Sequence, residues 1–439
     1  MTTETSPSPR ADDELPGTVT VCIAGCGPAG AVLGLLLARA GIETVVLEKH
    51  ADFHRDFRGD TIHASTLQVL DELGLLPGFE QLPQRRTTGF TVVTDGGTLT
   101  LGDFTRLPGR FQALSMVPQW DFLDFLTREA GRFPTFRLVR RAEVVGLVQE
   151  AGQVRGVRYR DPGGFERELR STLTVAADGR HSAVRREAGL PLVEYGAPMD
   201  VLWYRLPKAA GDPPGTFARL TGGRFLPMID RGEYWQGAFT MPKGSFADMQ
   251  ARGIEQLRAD LRRAMPFLDG RLDGALRSWD DTGFLEVRVN RLRRWHRPGL
   301  LCIGDAAHAM SPVAGVGINL AIQDAVATAN LLSRPLLDGT LTEADLARVQ
   351  SRRELPTRLT QTVQRLMQRQ LFSTRNGRSE LPPALQLLAR TPPLRRAMSR
   401  FMAIGFRNEH VVAHLPQPRT AGDDAAPSLA PVSTTRTGS

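Results

Sequence analysis

TVTVCIAGCGPAGAVLGLLLARAGIETVVLE, residues 18–48, is the stretch that decides the fold of this chain. It opens with an apolar, β-branched run at 19–24, which predicts a buried strand of a parallel sheet. A helix of small residues, about 29–39, comes next, and Gly41 ends it before a second apolar strand at 44–47. Strand, helix and strand in this order indicate a βαβ unit with two parallel strands.

The turn between the first strand and the helix has the spacing G-x-G-x-x-G, formed by Gly25, Gly27 and Gly30. In such a turn the first glycine permits the tight bend, the second lets backbone approach a pyrophosphate, and the third lets the helix pack close to the strand. The helix N terminus adds unpaired N–H groups and a positive dipole end. Glu48 follows Gly30 by 18 positions (48 minus 30), close to the spacing of about 20 that is typical of an acid that binds a ribose diol. The stretch predicts a dinucleotide site and leaves open whether the nucleotide is NAD(P) or FAD.

The composition is that of an ordinary globular protein with an ample core. Of the 439 residues, 41% are hydrophobic and 23% are charged, enough for two or three domains or one large two-part fold. The formal net charge of +8 raises the question of a nucleic-acid partner. Because the excess is mostly arginine spread through predicted helices, with no basic run interleaved with aromatic residues, we predict no nucleic-acid binding.

The three cysteines are Cys22, Cys26 and Cys302, all in or beside predicted central strands or the glycine turn. They are too scattered for a metal site and predict buried free thiols in a reducing cytoplasm, with no metal centre. The longest apolar run, about 29–40, is too short to span a bilayer, and the polar N-terminal residues lack a signal-peptide core. The sequence thus predicts a cytoplasmic protein without a membrane span.

A second informative stretch is TLTVAADGRHSAVR, residues 172–185. Its apolar strand ends in Asp178-Gly179, and Ser182 and Arg185 lie one turn apart in the segment after it. A plain strand-to-helix turn would explain these residues. An acid and a glycine at the carboxyl end of a parallel strand would equally place the chain beside a ligand.

A third stretch occupies residues 299–330, GLLCIGDAAHAMSPVAGVGINLAIQDAVATAN. A buried strand ends in Gly304-Asp305, a glycine-containing loop begins at Pro312, and a long helix starts near Ile318. The helix N terminus again directs N–H groups and its dipole towards something negative. A second ligand-facing strand end is therefore expected here.

The βαβ rhythm stops at residues 190–281, where short alternating segments predict an inserted, mostly antiparallel sheet that roofs a pocket. The predicted fold class is α/β with α+β elements: a Rossmann-like FAD/NAD(P)-binding domain, this substrate sheet, and C-terminal helices. The predicted boundaries are a disordered N terminus at 1–17, the nucleotide-binding domain at 18–85, 111–189 and 282–345, a substrate-domain hairpin at 86–110, the substrate sheet at 190–281, C-terminal helices at 346–415 and a disordered tail at 416–439.

Three motifs in one order carry a family resemblance: G-x-G-x-x-G with its distal glutamate, D-G-x-x-S-x-x-R from Asp178 to Arg185, and G-D-A-A-H-x-x-x-P-x-x-G-x-G-x-N from Gly304 to Asn319. Together they resemble the single-component (class A) FAD-dependent aromatic hydroxylases and monooxygenases with the p-hydroxybenzoate hydroxylase fold, over roughly residues 18–345. The resemblance implies FAD as the bound cofactor and a small aromatic substrate, phenolic or polycyclic. It also implies O2 and NAD(P)H as co-substrates, with NAD(P)H bound transiently, since no second dinucleotide-binding unit is present. A monomer or homodimer is expected.

The resemblance also implies a set of cofactor contacts. Gly25, Gly27 and Gly30 would hold the FAD pyrophosphate, and Glu48 the adenosine ribose. Asp305 would bind the ribityl or pyrophosphate region, Asp178 belongs to the motif that the family ties to both FAD and NAD(P)H, and the isoalloxazine ring would lie against residues 317–319. The remaining expected contacts are Pro28, Ala29, Lys49, Arg58, Gln119, Val144, Gly304, Pro312, Gly317, Ile318 and Asn319.

The chemistry implied by the resemblance is cofactor chemistry. NAD(P)H reduces FAD, the reduced flavin forms a C4a-hydroperoxide with O2, and one oxygen atom passes to the substrate. Substrate-pocket candidates on the inserted sheet are Trp203, Arg205 and Gln236. His63 is a further candidate, although a hydrogen bond at the start of a helix would also explain it. No catalytic base is identifiable, and His308 is expected to support its loop without transferring a proton.

Three other functions are rivals to this one. A flavin-dependent halogenase would show W-x-W-x-I-P, a spacing that the tryptophans at 120, 203, 235, 279 and 295 never have. A flavin oxidase or reductase without oxygen transfer would share the same cofactor motifs. A non-catalytic nucleotide-binding protein would share them too and would differ by the absence of a functional flavin.

Overall fold

The structure is a computed structural model that describes residues 15–54, 61–372 and 381–412. The expected FAD contact Arg58, most of the predicted disordered N terminus and the whole predicted disordered tail lie outside the described residues. Within them the strands are β1 Thr18–Ala24, β2 Thr44–Glu48, β3 Thr61–Ile62, β4 Arg85–Thr87, β5 Gly89–Thr94, β6 Gly97–Asp103, β7 Leu114–Met116, β8 Phe136–Arg140, β9 Glu143–Glu150, β10 Gln153–Arg160, β11 Glu166–Ala176, β12 Leu192–Glu194, β13 Met199–Pro207, β14 Phe217–Thr221, β15 Arg224–Asp230, β16 Tyr234–Pro242, β17 Thr282–Leu285, β18 Asn290–Leu292, β19 His296–Arg297 and β20 Leu300–Cys302.

Helices pack on both large sheets and make up most of the described residues after the last strand. They are α1 Pro28–Arg39, α2 Ala64–Glu72, α3 Leu76–Phe79, α4 Gln119–Ala130, α5 Ala183–Glu187, α6 Phe246–Ala251, α7 Ile254–Ala264, α8 Leu272–Ala275, α9 Gly317–Leu337, α10 Glu343–Phe372, α11 Pro383–Arg390 and α12 Pro392–Ala403. The helix expected from about residue 29 therefore begins at Pro28, and the one expected near Ile318 begins at Gly317.

The first large sheet has eight strands, and its main path runs β19-β20-β11-β1-β2-β8. Strands β20, β11, β1, β2 and β8 are parallel, while β9, β10 and β19 pair antiparallel at the margins. Helix α1 connects β1 to β2 and packs against α4 and α9. Because helices cover both faces of the parallel part, the central strand β2 is buried along its whole length and β1 and β11 are buried in their carboxyl-terminal halves, as the apolar runs of the sequence require.

The second large sheet has seven strands in the order β17-β13-β16-β15-β14-β5-β6. It combines the hairpin β5–β6 with strands from the inserted region, and only the β14–β5 pair is parallel. Successive side chains of a strand point to opposite faces. One face therefore packs Tyr204 and Trp235 against α7, while the other face carries Trp203 and Gln236.

Helices α10, α11 and α12 pass across the open face of this second sheet. Leu371, Leu385 and Ala389 share a core cluster with Val92 and Leu220 of the sheet. The α/β class with an inserted, mostly antiparallel sheet is thereby confirmed, and the C-terminal helices form a third wall that faces the sheet.

Candidate active site

One large cavity, of about 980 Å³, runs between the two sheets and beneath the C-terminal helices. At one end it is lined by the first glycine turn and the carboxyl ends of the parallel strands. At the other end it is lined by β13, β15 and β16 and by α10 to α12. The cavity therefore joins the predicted nucleotide site to the predicted substrate sheet.

The sheet register explains why three distant motifs meet. Ala24, the last residue of β1, pairs with Ala176 of β11 and with Leu47 of β2, and Ala176 pairs in turn with Cys302 of β20. Each of these four strands ends at a motif residue or within three residues of one. Gly25, Glu48, Asp178 and Asp305 consequently line the same end of the cavity, at the strand edge where open α/β sheets bind ligands.

The three glycines of the first turn are required for different reasons. Gly25 has a φ of +94°, and a Cβ there would lie 2.6 Å from the carbonyl oxygen of Ala177. A Cβ at Gly30 would lie 2.0 Å from the carbonyl oxygen of Gly25, so the helix packs on the turn only because Gly30 has no side chain. A Cβ at Gly27 would meet nothing within 4 Å, and its φ of −74° is open to any residue. Protein packing does not explain Gly27, whereas a ligand that lies against its backbone would.

Glu48 is buried and holds the glycine turn in place. Its Oε2 accepts a hydrogen bond of 2.9 Å from the backbone N–H of Cys26, and its Oε1 accepts one of 3.0 Å from the N–H of His50. Cys26 lies between the first two glycines. The resemblance assigns this carboxylate to the ribose. Its two hydrogen bonds to the backbone already fix its orientation beside the glycine turn.

Asp178 caps helix α5 and keeps one oxygen without a partner. Its Oδ2 accepts from the N–H groups of Ala183 (2.8 Å) and Val184 (3.2 Å). Its Oδ1 is buried and has no hydrogen-bond partner among the described residues, and burial raises the pKa of this carboxyl. A buried acceptor without a donor is costly. Since Asp178 lines the cavity, a hydroxyl-bearing ligand would supply that donor.

Two arginines of the same motif tie the strand ends together. The guanidinium of Arg185 is buried and donates to the carbonyl oxygens of Ala306 (2.9 Å) and Arg180 (2.9 Å), which joins the turn after β11 to the turn after β20. Arg180 lines the cavity and lies 3.2 Å from Asp305. Arg180 was not predicted as a site residue, although its place two residues after Asp178 was a usable signal.

The start of α9 is fixed by Asn319. Its Oδ1 accepts from the backbone N–H of His63 (2.8 Å) and the hydroxyl of Thr66 (2.8 Å), and its Nδ2 donates to the carbonyl of Thr61 (2.9 Å). Asn319 therefore clamps the chain before α2 against the loop that ends at Gly317. Gly317 and Ile318 themselves line the cavity, so the positive end of the α9 dipole faces it.

His63 and His308 are both buried, and neither lines the large cavity. Burial lowers the pKa of His63 to about 3, so its ring is neutral. His308 contacts Asp324 at 2.6 Å, and Asp324 also lies 3.0 Å from the guanidinium of Arg353. The N–H of Gly304 donates to Asp324 as well, over 3.1 Å. This buried group supports the Gly304 turn, and the Asp324–Arg353 contact, formed between two helices, was not predicted.

The predicted substrate residues separate into two groups. Trp203 and Gln236 line the cavity on adjacent strands. Arg205 has the same strand face as Trp203 but lies exposed beyond the cavity, with its guanidinium 5.5 Å from the ring centre of Trp120 and 5.0 Å from that of Tyr234. The prediction failed to anticipate that the strand is longer than the cavity it borders.

Fifteen of the predicted site residues line the cavity: Gly25, Gly27, Pro28, Ala29, Glu48, Lys49, Gln119, Val144, Asp178, Trp203, Gln236, Asp305, Pro312, Gly317 and Ile318. Gly30, Gly304 and Asn319 lie behind this lining and shape it. The C-terminal helices add a wall that the sequence did not indicate: Met367, Leu371 and Phe372 of α10, Leu385 and Leu388 of α11, and Met398 and Met402 of α12.

Comparison with known proteins agrees with this geometry. A family model described as FAD binding domain matches residues 18–363. The chain is also 35% identical over 396 residues to 6-methylpretetramide 4-monooxygenase of Streptomyces rimosus, covering 90% of this chain and 94% of that protein. The chain belongs to the class A FAD-dependent aromatic monooxygenases. The family resemblance and FAD as the cofactor of this monooxygenase are thereby confirmed.

Solved structures show how widely the fold is shared. OxyS anhydrotetracycline hydroxylase from Streptomyces rimosus superposes with a TM-score of 0.69 at 23% identity, covering 88% of this chain and 76% of that one. The flavin-dependent brominase Bmp2 superposes with a TM-score of 0.74 at 17% identity, covering 89% and 94%. Because the same fold carries halogenation, the fold alone does not define the reaction. Among the described residues no helix is long and apolar enough to cross a membrane, and no cluster of residues could hold a metal ion.

Proposed function

We propose that this monooxygenase inserts one oxygen atom from O2 into a polycyclic aromatic substrate and consumes NAD(P)H as the reductant. The observation that supports this most is the continuity of the cavity, from the strand ends that carry the FAD motifs to a wide apolar chamber under the C-terminal helices. The relatives named for 6-methylpretetramide and anhydrotetracycline hydroxylation support a substrate of several fused rings.

The residues of the strand ends fit FAD. The open space at Gly27 suits a pyrophosphate beside the α1 N terminus, Glu48 is held where a ribose diol would reach it, and Asp178 has an acceptor that requires a donor. Gly317 and Ile318 would lie against the flavin ring, and Arg58, outside the described residues, stays a proposed contact. Bound FAD supplies the redox chemistry, which is acceptance of reducing equivalents and activation of O2.

The residues of the chain position the cofactor and the substrate, supply charge near the cofactor and keep water out of the substrate end. The N terminus of α9 faces the cavity and would stabilise negative charge there. Arg180 adds a cation beside Asp305. The apolar side chains of α10 to α12 and of the sheet exclude water from the substrate end, which favours oxygen transfer over unproductive loss of activated oxygen to water.

The free cysteines agree with a reducing compartment. Cys22, Cys26 and Cys302 are all buried and unbridged, and burial raises the pKa of Cys22 to about 12, so this thiol stays protonated and unreactive. We place the enzyme in the cytoplasm on this ground.

The test is turnover of the FAD-loaded enzyme with NADH or NADPH and a panel of two- to four-ring phenols and quinones under labelled O2. A product that gains one labelled oxygen atom, with stoichiometric consumption of one nicotinamide, is the expected result. Substrate-stimulated nicotinamide oxidation that yields only hydrogen peroxide would instead support the oxidase alternative. Halogenated product in the presence of bromide would contradict the proposal outright.

A further inference from the structure

The sheet-and-helix end of the cavity is lined by no charged side chain among the described residues. All charged or imidazole side chains of the lining lie near the FAD motifs, between Glu48 and His54, at Glu143, between Asp178 and Arg186, or at Asp305. A carboxylate buried at the other end would therefore meet no charged lining side chain of the described residues, and the Arg231 guanidinium behind Gln236 is engaged by the amide oxygen of that residue. Burial of a charge without a direct partner is strongly unfavourable.

The polar side chains of the sheet wall are mostly committed to backbone. The hydroxyls of Thr87 and Thr240 donate to the carbonyls of Gly89 (2.8 Å) and Phe225 (2.7 Å), and the hydroxyl of Thr216 accepts from the N–H of Asp230 (3.2 Å). Among the described residues of this wall, two side-chain nitrogens remain as donors for a ligand.

The first nitrogen is Nε1 of Trp203. The indole is half-buried in the wall, and its Nε1 is buried with no hydrogen-bond partner in the described part of the chain. An indole N–H can only donate, so a buried one without an acceptor indicates a missing acceptor on a ligand.

The second nitrogen is Nε2 of Gln236. The amide oxygen of Gln236 accepts two hydrogen bonds from Arg231, from Nε at 3.0 Å and from Nη2 at 2.8 Å. A guanidinium only donates, so this pair fixes the amide orientation. Nε2 is left as a donor, in a buried residue that lines the cavity.

The two donors lie on one face of neighbouring strands. Trp203 pairs with Ala238 and Arg205 pairs with Gln236, so Trp203 and Gln236 are diagonal neighbours, whose Cα atoms are typically about 7–8 Å apart. Long side chains at that spacing can reach two atoms of one rigid molecule.

We propose that Trp203 and Gln236 form a donor pair that recognises an uncharged, oxygen-bearing edge of a fused-ring substrate, such as adjacent carbonyl and phenolic oxygens, and that this end of the cavity rejects carboxylates. This inference rests on the proposed function, since it specifies the chemistry of its substrate. Arg231 acts through Gln236 as a positioning residue.

The test measures ligand binding to the FAD-loaded enzyme through perturbation of the flavin absorption spectrum. The probes are 1,8-dihydroxyanthraquinone, which carries three oxygens on one edge, and anthraquinone-2-carboxylate, which has the same rings and a charge. We expect the wild type to bind the first probe at least tenfold more tightly. Trp203→Phe and Gln236→Leu should each weaken binding of the first probe by about three- to tenfold, with FAD content unchanged.

Trp279→Phe is the matched control, because Trp279 packs on Phe246 at the opposite face of the same sheet. It should bind the first probe as the wild type does. Equal binding of both probes, or variants at Trp203 and Gln236 that both bind like the wild type, would overturn the donor pair and leave the proposed function standing. If neither probe binds the wild type, the fused-ring substrate class fails, and the donor pair fails with it.

Discussion

Gly27→Ala should separate cofactor binding from folding. Gly27 is the N-cap of α1, with φ −74° and ψ −175°. Replacing glycine by alanine at an N-cap costs several tenths of a kcal/mol. The reduced freedom of the unfolded chain offsets this by about 0.4–1 kcal/mol. Since a Cβ there meets no atom within 4 Å, the free energy of unfolding of the FAD-free protein should change by less than about 0.5 kcal/mol.

Cofactor affinity should respond differently. The added methyl would occupy the space through which the backbone approaches a pyrophosphate. Forcing one extra carbon into a filled site costs about 1–3 kcal/mol, which corresponds to an FAD dissociation constant raised by about 5- to 150-fold.

Gly30→Ala is the matched comparison. Its Cβ would lie 2.0 Å from the carbonyl oxygen of Gly25, whereas ordinary contact begins at 3.4 Å. The start of α1 must therefore move by about 1.4 Å (3.4 minus 2.0), which should lower both stability and FAD affinity.

The assay uses deflavinated protein. Urea denaturation gives the free energy of unfolding, and quenching of flavin fluorescence during titration gives the dissociation constant. Unchanged FAD affinity in Gly27→Ala would refute the assignment of this glycine to the cofactor. Equal destabilisation by the two variants would refute the claim that only Gly30 is required by packing.

Three further predictions concern titratable side chains. Burial lowers the pKa of His63 to about 3, below the unfolded value of about 6.5, so the unfolded chain binds the proton first. Stability should be fully present above about pH 6.5 and fall towards pH 3 by at most about 1.4 kcal/mol per pH unit, and His63→Gln should flatten this slope in denaturation at stepped pH. Burial opposes ionisation of Asp212, but hydrogen bonds that include those from Arg271 outweigh it and lower its pKa to about 2. Asp212→Asn should cost about 1–2 kcal/mol at pH 7, and in the same assay this cost should shrink below the unfolded pKa of about 3.9 and be mostly lost as the pH falls through about 2. Asp324→Asn should lower the free energy of unfolding by about 3–5 kcal/mol, because it leaves Arg353 buried without its full counter-charge.

For each of these three predictions, one result would contradict it. A His63→Gln variant with the acid sensitivity of the wild type would show that another group titrates in that window. An Asp212 effect as large near pH 2 as at pH 7 would contradict the depressed pKa. Asp324→Asn with wild-type stability would mean that the buried ion pair contributes nothing beyond its neutral replacement.

The family and cofactor could be predicted from short segments because their requirements are local. A G-x-G-x-x-G turn fixes its own backbone, as the φ of +94° at Gly25 and the close approach at Gly30 show. An acid at the end of a parallel strand lies at the ligand edge of the sheet whatever the rest of the chain does, and this placed Glu48, Asp178 and Asp305 together.

The residues that line the substrate end of the cavity could not be predicted from short segments. Strand alternation placed Trp203 and Arg205 on one face, but only the assembled sheet decides where the cavity ends, so Trp203 lines it and Arg205 stacks on Trp120 outside. The apolar positions of α10 to α12 predict that these helices pack, and do not say against what.

The amino-acid sequence by itself determined the nucleotide-binding unit, because its requirements lie within a few turns of one another. It determined the class of cofactor through three motifs that are far apart along the chain but each recognisable by its own local spacing. The tertiary structure alone decided that Met367, Leu388 and Met402 close the substrate chamber and that Asp324 meets Arg353. Those contacts join elements that are far apart in sequence and meet only in the folded chain. Apolar packing and buried ion pairs follow no fixed sequence spacing, so the sequence does not show which residue will be the partner.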